Sequence, residues 1–260
     1  LKGLVKPSNG KAPKKVAFAL CVGSRSPERG QPYCSKICCM TGLKQAFLFK
    51  EMVPGAEPWV FYTDMRAAGK WYEEFYERAR EEGIRFVRGR VAEVIPLTDD
   101  SNRLLVKAED TLLGAQLEDN FDMVVLSPAI LPSARTAEVA DLLGLQRGPD
   151  GFMLEKHYKL EPVDSTQGGM FICGSALGPK DVRESTLEAM AAASRVTTFI
   201  GKGETLISPE KISLDASKCN GCNQCIEICP VKALAKGEQD GGKVTVNSVS
   251  CVGCGMCIPV

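Results

Sequence analysis

The chain has 260 residues, 44% of them apolar and 25% charged, which is the composition of a globular protein with one large domain or two unequal ones. Lysine and arginine total 32, as do aspartate and glutamate, so the net charge is zero; this argues against a basic nucleic-acid footprint and against a polybasic membrane anchor. No apolar run reaches the ~20 residues of a spanning helix, and the richest, residues 190–200, is broken by Ser194, Arg195, Thr197 and Thr198.

Residues 1–15 carry five lysines and no apolar core, so no secretory signal is read there. Leu1 is not a start methionine, which leaves room for sequence upstream. Residues 15–21 (KVAFALC) form a short apolar run that predicts a buried parallel strand. A helix is expected over 34–52, with Ile37, Met40, Leu43, Phe47 and Leu48 at helical spacing and Pro54-Gly55 ending it. Residues 57–63 read as the next strand. Residues 69–82 read as a charged helix with Trp71, Phe75 and Ala79 inward, stopped by Gly83. Further strands are expected at 84–87, 91–96, 103–108 and 121–126. This alternation predicts an α/β, doubly wound sheet. Residues 136–203 hold a short strand at 170–173 and a long helix at 182–200, and residues 204–214 read as a linker containing Pro209. Residues 215–260 are too few to fold on an apolar core and are dense in cysteine, so a metal is expected to hold them.

Twelve cysteines without a secretory signal point to metal binding more than to disulfides, and seven of them lie in the last 42 residues. Cys219, Cys222, Cys225 and Cys229 stand as C-x2-C-x2-C-x3-C followed by Pro230. Thiolates so spaced wrap three corners of one cubane and send the fourth to a second. The motif recurs: 219 to 251, 222 to 254 and 225 to 257 are each 32 apart. A pair of tetrahedral zinc sites is the alternative, disfavoured by four cysteines this tight with a trailing proline. The segment resembles a bacterial-type ferredoxin with two [4Fe-4S] clusters. That resemblance implies one complete cluster on Cys229, Cys251, Cys254 and Cys257, with Cys219, Cys222 and Cys225 holding three corners of the other. The repeat puts the fourth cysteine at position 261, one past Val260, so this cluster is expected to lack a thiolate here.

Cys21 ends the first expected strand, and Cys34, Cys38 and Cys39 open the helix that follows. The carboxyl end of a strand and the start of the next helix line the ligand crevice of a doubly wound sheet. The run CVGSRSPERGQPYC found there is no G-x-G-x-x-G fingerprint. Cys34 and Cys38, four apart, are expected on one helix face. Cys39 sits roughly 100° from Cys38, so a shared site needs a distorted first turn. A helix N-terminus favours thiolate and offsets the negative charge of a ligated cluster. Spacing alone leaves open an iron–sulfur site, buried apolar cysteines or a Cys-x3-Cys redox pair.

The runs CSKICCMTGLKQA, VFYTDMRAAGKWYEEFYERAREEGIRFVRGRVAEV and GMFICGSALGPKDVRESTLEAMAAAS, followed by the ferredoxin-like segment, resemble the A-type subunit of heterodisulfide reductase over nearly the whole chain. The resemblance implies a partial thioredoxin-reductase-like fold followed by a small α+β ferredoxin-like domain. It implies a third [4Fe-4S] cluster on Cys21, Cys34, Cys38 and Cys39 close to FAD. It divides the chain into a dinucleotide-binding-like domain with that cluster (1–133), the C-terminal part of an FAD-binding domain (134–208) and a two-cluster domain (209–260). In the same way it assigns flavin contacts to Gly174, Ser175, Lys180 and Asp181, and a place near the flavin N5 to Lys44, where a cation favours the anionic reduced ring. A solvated lysine is the plain alternative. Since no strand is followed by the glycine fingerprint, the adenine half of an FAD site is expected before Leu1. The implied activity is oxidoreductase electron transfer, with flavin-based electron bifurcation. The implied partners are the other subunits of the complex, an electron-input subunit of hydrogenase or formate dehydrogenase type, and ferredoxin, in the cytoplasm, with neither nucleic acid nor membrane span. His157, the only histidine, reads as incidental, and Cys173 as a small buried apolar residue.

Overall fold

The computed structural model describes residues 10–99, 102–203, 210–237 and 242–260. Residues 1–9, part of the lysine-rich opening, and 204–209, most of the expected linker, lie outside them. Two compact units follow one another along the chain, Leu1–Ile130 and Leu131–Val260.

In the first unit β1 (Lys15–Val22) leads into α1 (Cys38–Met52), β2 (Glu57–Tyr62), α2 (Tyr72–Glu81) and β3 (Arg85–Arg88). The chain then runs through β4 (Val91–Pro96), β5 (Leu104–Asp110) and β6 (Ala115–Phe121) before returning as β7 (Met123–Pro128). Strands β3-β2-β1-β7 form one sheet, every pair parallel. Strands β4-β5-β6 form an antiparallel meander.

Side chains of a strand alternate between faces, and both faces of the parallel sheet are buried. Val16, Phe18, Leu20 and Val60 pack against Leu43, Ala46 and Phe49 of α1 and Ala79 of α2. Ala17, Trp59, Phe61 and Val87 pack the other way, against Val106, Ala108 and Phe121 of the meander. The result is a three-layer unit of helices, parallel sheet and meander.

Several expected elements shift. The α1 helix starts at Cys38, so Cys34 lies outside it and shares no helix face with Cys38. Ile37 occupies the N-cap with no acceptor to offer, and Lys36 just before it has a left-handed φ of 62°. Trp71 is not an inward residue of α2; it precedes the helix at φ 69° and is 64% exposed. The β6 strand is an addition to the expected elements, because Asp119 breaks the apolar alternation of Ala115, Leu117 and Phe121 in AQLEDNF.

In the second unit, α3 (Thr136–Leu143) leads to a 3-10 turn (Gly174–Ala176) and to α4 (Val182–Gly201). The expected strand at 170–173 reduces to one isolated bridge, Asp164 with Phe171. The cysteine-rich segment contributes only α5 (Gln224–Ile228) and the hairpin of β8 (Leu234–Lys236) with β9 (Val244–Val246). Among the described residues no helix is long and apolar enough to cross a membrane.

Candidate iron–sulfur sites

The strand order places β1 in the middle of the parallel sheet, with β2 on one side and β7 on the other. Connections therefore diverge at its carboxyl end, the usual ligand crevice of such sheets. Cys21 stands there. The β1–β7 register shifts between Ala19 and Val22, and Cys21 takes a left-handed φ of 60°, costly for a residue with a Cβ.

A hydrogen-bonded loop then carries the chain to Cys34. Gln31 N–H donates to the Gly23 carbonyl (2.7 Å), Ser26 N–H to Gln31 (2.9 Å) and Arg25 N–H to Tyr33 (2.9 Å). Gly30 lies so close to Gly23 that a Cβ there would sit 2.4 Å from its carbonyl oxygen, so only glycine fits. Below the loop the buried hydroxyls of Ser24 and Ser35 meet at 2.8 Å, and Ile130 N–H donates to Ser35 Oγ (2.9 Å).

This scaffold places Cys21, Cys34, Cys38 and Cys39 near enough for their charges to act on one another. Burial pushes the Cys39 thiol up to about 11, and the charges of Cys21, Cys34 and Cys38 push it the same way. Cys38 is raised by burial and by Cys21 and Cys34. Burial and neighbouring thiolate charge both favour the protonated form of Cys38 and Cys39. Metal binding reverses that balance, because the ligands must be thiolates. The donor set fits a thiolate-ligated cluster.

In the second unit, a cavity of about 370 Å³ is lined by Cys229, Cys251, Cys254 and Cys257, with Ile212, Val231 and other apolar residues around them. The Cys257 thiol is raised, first by burial and then by the charges of Cys229, Cys254 and Cys251, which marks the four sulfurs as neighbours. Cys251 is lowered by backbone N–H groups of Ile212 and Gly253 and by the charge of Lys211. Ala233 N–H donates to Cys229 Sγ at 3.2 Å. Backbone N–H groups aimed at sulfur are what a thiolate-held anion requires. These are the four cysteines assigned to one complete cluster. Cys219 is held low by N–H groups of Val244 and Gly221 and shares a loop with Cys222, while Cys225 lies in α5.

The repeat is conformational as well as chemical. Gly221 and Gly253, 32 apart, both have left-handed φ (75° and 70°), and so do Asn223 and Gly255 (64° and 72°). The two cysteine loops thus follow one backbone path. Among the described residues no three His, Cys, Asp or Glu side chains converge as a single metal ion would require; a cubane spreads its thiolates over separate irons.

The residues assigned to flavin are differently committed. Gly174 N–H donates to Glu188 Oε2 (2.8 Å), and Lys180 Nζ pairs with the other oxygen of Glu188 (3.1 Å). The Asp181 carboxylate caps α4 by accepting from Glu184 N–H (2.7 Å) in a capping box. Ser175 and, on α1 of the first unit, Lys44 are exposed. In this arrangement Gly174, Lys180 and Asp181 each have a protein partner. His157 Nδ1 accepts from the N–H groups of Lys159 and Leu160 (both 3.2 Å), a turn-forming role. Cys173 is half-buried beside Gly174. Residues that sequence reasoning missed are Arg25, Asp64 and Lys211, all beside cysteines. Arg25 and Asp64 are 39 residues apart, and no local pattern links them.

Residues 211–260 match the 4Fe-4S dicluster domain family. The chain is 45% identical to the second iron-sulfur A-type subunit of CoB–CoM heterodisulfide reductase from Methanopyrus kandleri, over 92% of this chain and 36% of that protein. It is 42% identical to the A-type subunit of H(2)/formate:CoB-CoM heterodisulfide,ferredoxin reductase from Methanococcus maripaludis, over 93% of this chain and 37% of that one. It is also 42% identical to a protein of Archaeoglobus profundus described as like the A-type subunit of heterodisulfide reductase, over 85% of this chain and 31% of that one. The chain thus spans about a third of the length of these relatives. A solved thioredoxin reductase from T. acidophilum aligns with 74% of this chain and 54% of its own at 12% identity, with a TM-score of 0.48.

Proposed function

The chain is homologous to the A-type subunit of heterodisulfide reductase over nearly its whole length, and on that premise we propose that it is the electron-transfer part of a heterodisulfide-reductase-type oxidoreductase that works with [4Fe-4S] clusters and FAD. When bound, the clusters supply one-electron carriage and the flavin an exchange between electron pairs and single electrons. The observation that carries the reading is the gathering of Cys229, Cys251, Cys254 and Cys257 around one cavity inside the segment that matches the dicluster family.

The protein's own residues would act as follows. Cys21, Cys34, Cys38 and Cys39 hold one cluster at the carboxyl edge of the parallel sheet. Cys229, Cys251, Cys254 and Cys257 hold a second, with the Ile212 and Gly253 amides steadying the Cys251 thiolate. Cys219, Cys222 and Cys225 supply three ligands of a third. Burial of Cys21, Cys38, Cys39 and Cys251 would keep water from those sulfurs. Lys44, Gly174, Ser175, Lys180 and Asp181 remain the proposed flavin-side residues, with Glu188 giving way where Gly174 and Lys180 are needed.

By this reading the functional division is 1–133, 134–208 and 209–260. Electron bifurcation, an input subunit of hydrogenase or formate dehydrogenase type, and ferredoxin as a partner are part of the proposal; a relative's name includes H(2), formate and ferredoxin. A reducing compartment such as the cytoplasm suits twelve cysteines, none of them in a disulfide.

The test is anaerobic reconstitution followed by iron, acid-labile sulfide and flavin analysis and a redox titration. About eight iron per chain are expected from the two four-cysteine sites, and about twelve if the third fills. Zinc in place of iron, or clusters that cannot be reduced between ferredoxin and thiol potentials, would refute the reading.

A further inference from the structure

Arg25 lies in the loop between Cys21 and Cys34, with a left-handed φ of 55°. Its backbone N–H is tied to Tyr33, while its own carbonyl and that of Ser24 accept from the Arg90 guanidinium at 2.7 and 3.2 Å. The Arg25 guanidinium donates to both oxygens of Asp64, the longer bond at 3.1 Å. Its side chain is 21% exposed against 45% for Asp64, so the cation is the more sheltered partner. The Asp64 carbonyl accepts from Cys39 Sγ at 3.7 Å. Asp64 therefore touches the four-cysteine group at Cys39, and Arg25, bonded to Asp64, lies near enough to Cys21 and Cys34 to feel their charges. The Arg25 pKa is raised, first by the Asp64 hydrogen bond and further by the charges of Asp64, Cys21 and Cys34.

We propose that Arg25, locked in place by Asp64 and Arg90, is the positioning cation of the Cys21–Cys34–Cys38–Cys39 site, and that its charge, partly offset by Asp64, raises the reduction potential of the cluster held there. This rests on the cluster reading of those four cysteines. Reduction adds an electron to a thiolate-bound anion, so a nearby positive charge favours the reduced form and a nearby negative charge disfavours it. A guanidinium keeps its charge at every working pH, which makes the bias constant. An exposed ion pair contributes little to stability. Here the pair sits beside a site whose charge changes by one, so potential is the sensitive readout.

The experiment uses the full chain, reconstituted anaerobically. The wild type, Arg25→Gln, Arg25→Lys, Asp64→Asn and the double variant Arg25→Gln/Asp64→Asn are compared by iron content and by redox titration followed by electron paramagnetic resonance. Cys39→Ser identifies the signal of this site. Arg25→Gln is expected to shift the midpoint negative and Asp64→Asn positive, each on the order of tenfold in the reduction equilibrium, or ~59 mV for one electron. Arg25→Lys should stay near wild type and the double variant should fall between the singles. A merely structural clamp would not give opposite signs. If Arg25→Gln fails to load iron, Asp64→Asn still decides by the sign of its shift. Midpoints that do not move, or move the same way in both variants with iron retained, overturn the inference alone. A wild type without iron at these cysteines overturns the cluster reading and the inference together.

Discussion

Replacing Gly30 by alanine tests whether the loop between Cys21 and Cys34 builds the first cluster site. The new Cβ would stand 2.4 Å from the Gly23 carbonyl oxygen and 2.8 and 2.9 Å from the carbon atoms next to it, all backbone and unable to swing aside. That is roughly 1 Å short of van der Waals contact, so the strands of the loop must part. The Gln31 to Gly23 bond (2.7 Å) and the Ser24–Gln31 bridge are lost first. With that hydrogen bond lost at ~1 kcal/mol and comparable overpacking at ~1–3 kcal/mol, the cost is roughly 2–4 kcal/mol. A domain's stability is about 5–15 kcal/mol, so the unit survives while Cys34 moves relative to Cys21. Iron and sulfide analysis after anaerobic reconstitution should show about four iron fewer per chain. Thermal unfolding should drop by roughly 10 °C, as such a cost implies for a unit of this size. Full iron occupancy in Gly30→Ala would refute the claim that this loop geometry makes the site.

The counterpart in the second unit is Gly253→Ala. Its φ is +70° and its Cβ would meet the Glu210 carbonyl at 2.3 Å, so the neighbouring Ile212 amide should leave Cys251 and the iron of that site should fall while the first site keeps its own, as site-resolved spectroscopy would report. Asp181→Ala should cost ~0.5–2 kcal/mol by removing the α4 cap, with Asp181→Asn largely retaining it; equal unfolding midpoints for all three proteins would contradict the capping role. In cluster-free protein Cys39 keeps its proton up to about 11, against an ordinary thiol value of 9.0. The unfolded chain thus releases that proton first as pH rises. The contribution to stability is whole below 9, declines between 9 and 11 and is gone above, so urea midpoints should fall across that window and should fall less steeply in Cys39→Ala, where the raised Cys38 thiol still acts.

Chemistry was more legible in the sequence than shape. The 32-residue offset of the C-x2-C units and the crowding of Cys21, Cys34, Cys38 and Cys39 at a strand-to-helix junction are local, and local spacing survives folding. The parallel strands also showed, since Val16, Phe18, Val60 and Phe61 belong to runs buried on both faces. Strand β6 was hard to read because Asp119 interrupts the alternation of Ala115, Leu117 and Phe121, and its pairing with β5 from Leu104–Phe121 to Asp110–Ala115 reveals it. The helix face assigned to Cys34 and Cys38 failed because helical spacing does not say where a helix begins, and the left-handed Lys36 delays it. The flavin-side residues show a different limit of local reading. Asp181 and Lys180 carry the right chemistry, but a capping box and Glu188 take it first.

The three-layer first unit buries Phe61, Phe121 and Leu43 completely, with or without any metal. Among the described residues the cysteine-rich tail buries a small cluster of Val231, Ala233 and Cys251, with Leu234 and Val244 besides. Oxygen damage should therefore be graded along the polypeptide. A burst of air that strips iron would leave residues 10–130 as a sound, protease-resistant body and turn the last fifty residues into loose chain, ready for cellular quality control to remove.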